Sequence, residues 1–438
     1  MNAQVPVSQV VVTFREIERL LSGTEARGQI VEAANNDSEA SPEEKATVMA
    51  AMGNVLNELR QAEAKAGALV MTTPQHAPSS RLQSLIASGD AAQLRFEPLP
   101  TGGLEAKFDT SDWAGWATVA WEKLKHLKPH KMLRPANSTP EQLPDQSRIA
   151  VLGDWGTGLY GAPVMANTIA DDANPYTMLM HLGDVYYSGT DKEVQNRFLQ
   201  LWPQRPEALN RAINSNHEMY SGGEAYFRRT LPQFGQTSSY FAYQNKYWTL
   251  VGLDVAYKDH DIDDRQVAWL TQVLSQAADR KVVLFSHHQL YSHFEEQGTK
   301  LWSHPGFGAI LRSQRIFAWY WGHEHRCSIF EGEDQNFGLM ARCVGHGGMP
   351  EGRAKTRDLP TATDQVYQRG EWRRSPAQNK KGNMLPGCVV LEGRNEFIKG
   401  EEDRFLPHGY AVLTLDGPTM KEQMLDPEGK VLYENMLA

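Results

Sequence analysis

The chain has 438 residues, 41% of them hydrophobic and 22% charged, with a formal net charge of −9. That composition supplies a sizeable core and excludes gross disorder. The acidic balance argues against a dedicated nucleic-acid binder, whose electrostatic footprint is usually basic.

The opening run, MNAQVPVSQVVVTFREIERLL, carries Arg15, Glu16, Glu18 and Arg19 where a signal peptide needs an unbroken apolar stretch. No later stretch is long and apolar enough to span a bilayer. Cys327, Cys343 and Cys388 do not make a disulfide framework. These features predict a cytoplasmic protein without a membrane segment; oligomeric state is not readable.

Residues 1–146 read as a helical N-terminal region and linker. Ser41-Pro42-Glu43-Glu44 is a helix start, with a capping hydroxyl, Pro at the first helical position and Glu three residues after the cap. Val48, Met49, Met52, Val55, Leu56 and Leu59 follow at helical spacing. A second helix is predicted from Ser111 to about Leu127, with Trp113, Trp116 and Trp121 on one side. Such stripes are expected to dock onto the main domain. Pro129, Pro135, Pro140 and Pro144 mark a linker.

The pattern changes over residues 147–438. RIAVL, TMLMHL, KVVLFS and IFAWYW are candidate buried strands, alternating with helical stretches at Ala162–Asp172 and Asp263–Ala278. GYAVLTLDG and KVLYE add strands near the C-terminus. This is α/β organisation. Residues 351–383 form a basic loop insertion in an acidic protein, including Arg373 and Arg374. A solvated loop is its default reading, and a lid that attracts anionic substrate the sharper one.

The chemistry lies where the runs end. Gly153-Asp154-Trp155-Gly156, Gly183-Asp184-Val185-Tyr186-Tyr187, Asn216-His217-Glu218, His287-His288 and Gly322-His323-Glu324-His325 each bring metal-type ligands to a strand end. Open α/β sheets place ligands at such ends, and carboxylates with imidazoles suit iron, zinc and manganese. Singly the signals are weak: a Gly-Asp after a strand is usually a turn or a cap. The ordered set is what makes chance improbable.

That order, GD-x-G, GD-x-x-Y, N-H-E, H and G-H-x-H, resembles the calcineurin-like metallophosphoesterases, and within them the purple acid phosphatase branch. Gly156 and Tyr187 carry the narrower likeness, which covers about Arg148 to Cys327 plus the terminal strands. Ser215 stands where the family usually has Gly. The resemblance implies a four-layer α/β/β/α sandwich and two metal ions, Fe(III) plus a divalent Fe, Zn or Mn. Asp154, Tyr187 and His325 would hold the first ion. Asn216, His287 and His323 would hold the second, and Asp184 would bridge them. His217 would act as general acid, with Glu218 orienting its ring. His287 is preferred to His288 by position in the motif. The implied activity is hydrolysis of a small phosphate monoester by metal-activated water, with diesters as the alternative.

His288, His293 and His346 are candidate substrate contacts, as are Arg373 and Arg374; a structural hydrogen bond is the competing reading for each histidine. Two other classes stand against the enzyme. One is a non-catalytic metal-binding scaffold. The other is a dinucleotide-binding oxidoreductase, suggested by Gly156-x-Gly158-x-x-Gly161 after a strand. In the latter, Asp154 would repel a pyrophosphate, and the histidine motifs would have no role.

Overall fold

The computed structural model describes residues 10–13, 16, 22, 24–36, 41–42, 46, 77–88, 94–98, 104–108, 128–332, 337–377 and 385–438. Two sheets dominate. One has six strands in the order Val431–Met436, Thr419–Leu425, Tyr410–Asp416, Gln146–Leu152, Met178–His181, Leu209–Ala212. The other has nine, from Glu371–Ser375 through Cys327–Glu331, Ile316–Trp321, Lys281–Ser286 and Trp248–Gly252 to Glu141–Gln142.

Strand alternation explains the layering. Successive side chains point to opposite faces. Ile149 and Val151 therefore join Val283, Phe285 and Tyr320 between the sheets. Ala150 and Leu152 face outward onto Met165 and Ile169 of helix Gly161–Asp171. On the other side, Val282, Leu284, Trp319 and Trp321 meet Val267, Leu270 and Val273 of helix Asp264–Ala277. Both faces of each sheet are covered, which is why RIAVL and IFAWYW read as continuous apolar runs. The result is the α/β/β/α sandwich. The central strands pair in parallel: Gln146–Leu152 with Met178–His181, and Lys281–Ser286 with both Trp248–Gly252 and Ile316–Trp321.

The N-terminal part holds helices Thr24–Asn36 and Ala77–Ser88. It also holds a three-stranded sheet of Val10–Val11, Leu104–Phe108 and Leu94–Pro98, which a helical reading leaves out. The signal was there: LRFEP and LEAKF both alternate apolar and polar residues, and the two strands pair antiparallel. The Val48–Leu59 stripe and the Ser111–Leu127 helix lie outside the described residues, as does most of the helix starting at Ser41-Pro42. Helix Ala77–Ser88, which no predicted stripe covers, packs on the sandwich: Ser84 Oγ meets Ser188 Oγ at 2.7 Å and Glu193 at 2.9 Å, while Gln83 donates to the Val12 carbonyl at 3.0 Å within the N-terminal part.

The proline-rich segment is more than a linker. Met132 is buried, the His130 ring stacks on Phe227, and Glu141–Gln142 edges the larger sheet. The basic insertion is likewise part of the fold. It contributes the edge strand Glu371–Ser375, and Arg374 pairs with Glu331 and Asp364 while Arg353 pairs with Glu392. Among the described residues, no helix is long and apolar enough to cross a membrane.

Candidate metal centre

Each candidate ligand sits just past a strand of the central parallel arrays. Asp154 follows Gln146–Leu152, Asp184 follows Met178–His181 and Asn216 follows Leu209–Ala212. From the other sheet, His287 follows Lys281–Ser286, and His323 and His325 follow Ile316–Trp321. The backbone turns sharply at these points. Asp154, Asp184, His323 and His325 all have positive φ, at 57°, 75°, 71° and 44°. That region is uncommon for residues with a Cβ, and such strain concentrates at functional sites. Glycines make room: a Cβ on Gly322 would stand 2.6 Å from Asp154 Oδ2, and Gly183, at φ +101°, would put one 2.6 Å from Ser215 Cβ.

The side chains converge in two groups that share Asp184. In the first, His325 Nε2 lies 3.7 Å from Asp154 Oδ1 and 3.7 Å from Asp184 Oδ2. These three residues have ligand atoms close enough to hold one ion. In the second, His287 Nε2 lies 2.8 Å from Asn216 Oδ1, 3.2 Å from His323 Nδ1 and 3.3 Å from Asp184 Oδ1. His323 Nδ1 is 3.2 Å from Asn216 Oδ1. Donors on one tetrahedral ion, each about 2.0–2.1 Å from it, stand roughly 3.3–3.4 Å apart, so the second group is already near that spacing. The His323 amide donates to both oxygens of Asp154, at 2.9 and 2.8 Å, and ties the two loops together.

The sequence reading needs correction at the tyrosine pair. Tyr187 points away from the carboxylates: its hydroxyl accepts from the Val12 amide at 2.8 Å, and Arg197 lies over its ring. Tyr186 takes the inward place, its hydroxyl 2.9 Å from Asp184 Oδ2 and 2.6 Å from His325 Nε2. The pair sits in a turn after Val185, where the two rings point apart, so counting three residues from Asp184 selects the outward ring here. The Glu218 role also changes. His217 Nδ1 is held by the Tyr187 carbonyl at 2.6 Å, while Glu218 bonds Ser215 Oγ and accepts from the Asp184 amide at 3.2 Å. The His217 ring stacks on Tyr186.

Ser215, the departure from the family's glycine, caps helix Asn216–Tyr220 by accepting from the His217 and Glu218 amides. It also lies 2.5 Å from Asp184 Oδ1. One hydroxyl proton cannot serve both carboxyls. Burial and the Asp184 charge push Glu218 up to about 8. The Ser215 hydroxyl thus ties the two carboxyls together, donating to one at a time.

The lower-ranked residues disperse. His293 uses both ring nitrogens structurally, on the Pro386 carbonyl at 2.8 Å and Ser375 Oγ at 3.1 Å. His346 is fully buried beside Gly409. Arg373 bonds Thr361 Oγ1 at 2.7 Å and Arg374 its two carboxylates, away from the ligand groups. His288 does stay close: its ring lies 4.6 Å from that of His323. Against the dinucleotide reading, the Gly156 amide donates to the Asp184 carbonyl at 3.0 Å and the Gly161 amide to His408 Nδ1 at 3.3 Å. Those donors are already engaged. His260 was missed altogether. It follows strand Trp248–Gly252 and contacts His288 and His323; the acidic run DHDIDD after a strand was the available signal.

The donor chemistry fits cations. Burial lowers His287 to about 4, so its ring is neutral. Its Nδ1 faces the Leu182 carbonyl at 2.8 Å and must carry the proton. Nε2 is then a lone pair aimed at the Asn216 oxygen, whose own amide nitrogen is used on Tyr220. Two acceptors 2.8 Å apart repel unless a cation stands with them. Asp154 has the same need: burial, then the neighbouring Asp184, drives its carboxyl well above the ordinary range.

Residues 147–327 match the model of the Calcineurin-like phosphoesterase family. No curated protein sequence matches the chain. Among solved structures, it is similar to the purple acid phosphatase PPD1 from yellow lupin (Lupinus luteus) seeds, at 13% identity and a TM-score of 0.46 over 69% of this chain and 55% of that one. The chain thus spans little more than half of the lupin protein's length. It is also similar to PhoD, at 12% identity and a TM-score of 0.41 over 69% and 70% of the two chains. A third likeness is a predicted phosphoesterase of Streptococcus pneumoniae TIGR4, at 8% identity and a TM-score of 0.28 over 66% and 97%. Motif order and the sandwich agree with the match of residues 147–327 to the calcineurin-like phosphoesterase model.

Proposed function

We propose that this chain is a binuclear metal-dependent phosphoesterase that hydrolyses phosphate monoesters first and diesters second. One observation carries the reading: two convergent ligand groups, Asp154 with His325 and Asn216 with His287 and His323, meet at the single carboxylate of Asp184. Asp154, His325 and the Tyr186 hydroxyl form the anionic set that favours Fe(III). Asn216, His287 and His323 form the neutral set that suits a divalent Fe, Zn or Mn. When bound, the pair supplies Lewis acidity, lowering the pKa of water and neutralising phosphoryl oxygens.

The chain's own groups do the rest. His287 is fixed by the Leu182 carbonyl and Asp184 by Ser215, which keeps both oriented. His217 is anchored through Nδ1, so Nε2, buried without a hydrogen-bond partner, is the atom that would hold the proton for the departing alkoxide. Residues 147–438 would constitute the catalytic unit, with the N-terminal part docked through Val12 and Ser84. The substrate expected is a small phosphorylated molecule.

The test is turnover of an aryl phosphate and a bis-aryl phosphate by chelator-stripped protein, before and after reloading with iron, zinc or manganese. Metal-restored hydrolysis, faster on the monoester, is expected. No turnover of either ester after loading would favour a binding scaffold.

A further inference from the structure

The paired-ion reading leaves His260 and His288, beside the ligand His323, without a role. His260 Nε2 stands 3.4 Å from His323 Nε2, the ring nitrogen opposite the one that joins Asn216 and His287. The His288 ring lies 3.7 Å from that of His260 and 4.6 Å from that of His323. Ligand nitrogens of these three residues all lie within 4.8 Å of one another. His288 is 0% exposed, and neither of its ring nitrogens has a hydrogen-bond partner. An imidazole buried with both polar atoms unmet is costly unless something else satisfies it.

We propose that His260, His288 and His323 hold a further divalent cation of the zinc type, beside the Asp184-centred pair and linked to it through the ring of His323, which would bridge as an imidazolate after releasing its remaining ring proton to solvent. Several features favour a cation. All three donors are imidazoles, the ligand class that suits zinc and its neighbours. The His260–His323 separation of 3.4 Å equals the roughly 3.3–3.4 Å expected between two nitrogens on one tetrahedral zinc. His260 is oriented from behind, its Nδ1 lying 2.8 Å from Asp259 Oδ1. This carboxylate–histidine arrangement commonly backs a metal ligand. Asp259 and His260 also share the positive φ of the other ligand loops, at 51° and 63°. His260 is the outermost member, with its side chain 21% exposed, so a fourth coordination position opens toward solvent. Three protein ligands and one open position are the pattern of a site that exchanges water for a substrate oxygen.

The experiment counts metal. Full-length protein, stripped and then dialysed against zinc, is analysed for zinc per chain beside His260→Ala. Because His260 is partly exposed on a loop, its removal leaves the core intact, which a melting curve verifies. We expect three equivalents in the wild type and two in the variant. With cobalt(II) in place of zinc, one visible band is expected to be present only in the wild type. Equal zinc content and identical cobalt spectra in the two proteins would overturn the extra site. The extra site falls in that case whether the shared count is two or fewer, and a count below two in both would separately undo the paired-ion reading.

Discussion

Exchanging each tyrosine of the Tyr186-Tyr187 pair for phenylalanine separates the two hydroxyls cleanly. The Tyr186 hydroxyl is buried between Asp184 Oδ2 and His325 Nε2, at 2.9 and 2.6 Å. The Tyr187 hydroxyl instead accepts the amide of Val12, whose residue is 1% exposed. Tyr187→Phe leaves that buried N–H unmet, a cost of about 1–3 kcal/mol, without touching the ligand groups. Tyr186→Phe removes a donor from the Asp184 carboxylate itself. The assay is visible absorption of the oxidised, iron-loaded protein, with urea midpoints alongside. A tyrosinate-to-iron band should vanish in Tyr186→Phe and persist in Tyr187→Phe, which should unfold earlier. A band lost in Tyr187→Phe and kept in Tyr186→Phe would refute the assignment.

Other outcomes follow from the same geometry. His217→Ala should retain bound metal and lose about 10²–10⁴ in kcat; full turnover in that variant would remove His217 from the chemistry. Gly322→Ala forces a Cβ to 2.6 Å from Asp154 Oδ2. It should weaken metal binding by about 10–100-fold, as disturbed ligand supports generally do, read by titration of stripped protein. Ser215→Ala loses a cap and should cost about 0.5–2 kcal/mol in urea unfolding. On the acid side, burial holds His181, His346 and His408 down at about 3, against an ordinary 6.5. Depressed imidazoles contribute stability above pH 6.5 and lose it as pH falls toward 3. With one extra proton taken up by each on unfolding, three groups give a limiting slope of about 4 kcal/mol per pH unit. Glu218, raised to about 8, and Glu324, raised to about 7, act oppositely down to pH 4.5, so the double variant Glu218→Gln, Glu324→Gln removes these two opposing carboxyls. A urea midpoint flat from pH 7 to 5 in that variant would contradict the histidine effect.

Much of this was legible in the sequence because burial on both faces writes strands as apolar runs: KVVLFS and IFAWYW coincide with Lys281–Ser286 and Ile316–Trp321. The ligand positions were legible because they sit at the ends of those runs. What was not legible depended on direction rather than identity. Which of two adjacent tyrosines faces inward is set by local backbone, and a spacing rule cannot see it. His260 belongs to no motif, and only the parallel pairing of Trp248–Gly252 with Lys281–Ser286 brings its loop beside His288. Glu218 looked like a partner for the adjacent His217, yet helix geometry turns it toward Ser215. Arg373 and Arg374 suggested a lid as bare charge, but they are held by Thr361 and Asp364 earlier in the insertion and by Glu331 outside it.

The shared role of Asp184 is best tested by a crystal grown with manganese and measured for anomalous scattering. Two peaks should flank the Asp184 carboxylate, about 3.5–4 Å apart, one beside Asp154 and His325, the other beside Asn216 and His287. A map with no peak beside the Asp184 carboxylate would contradict the account.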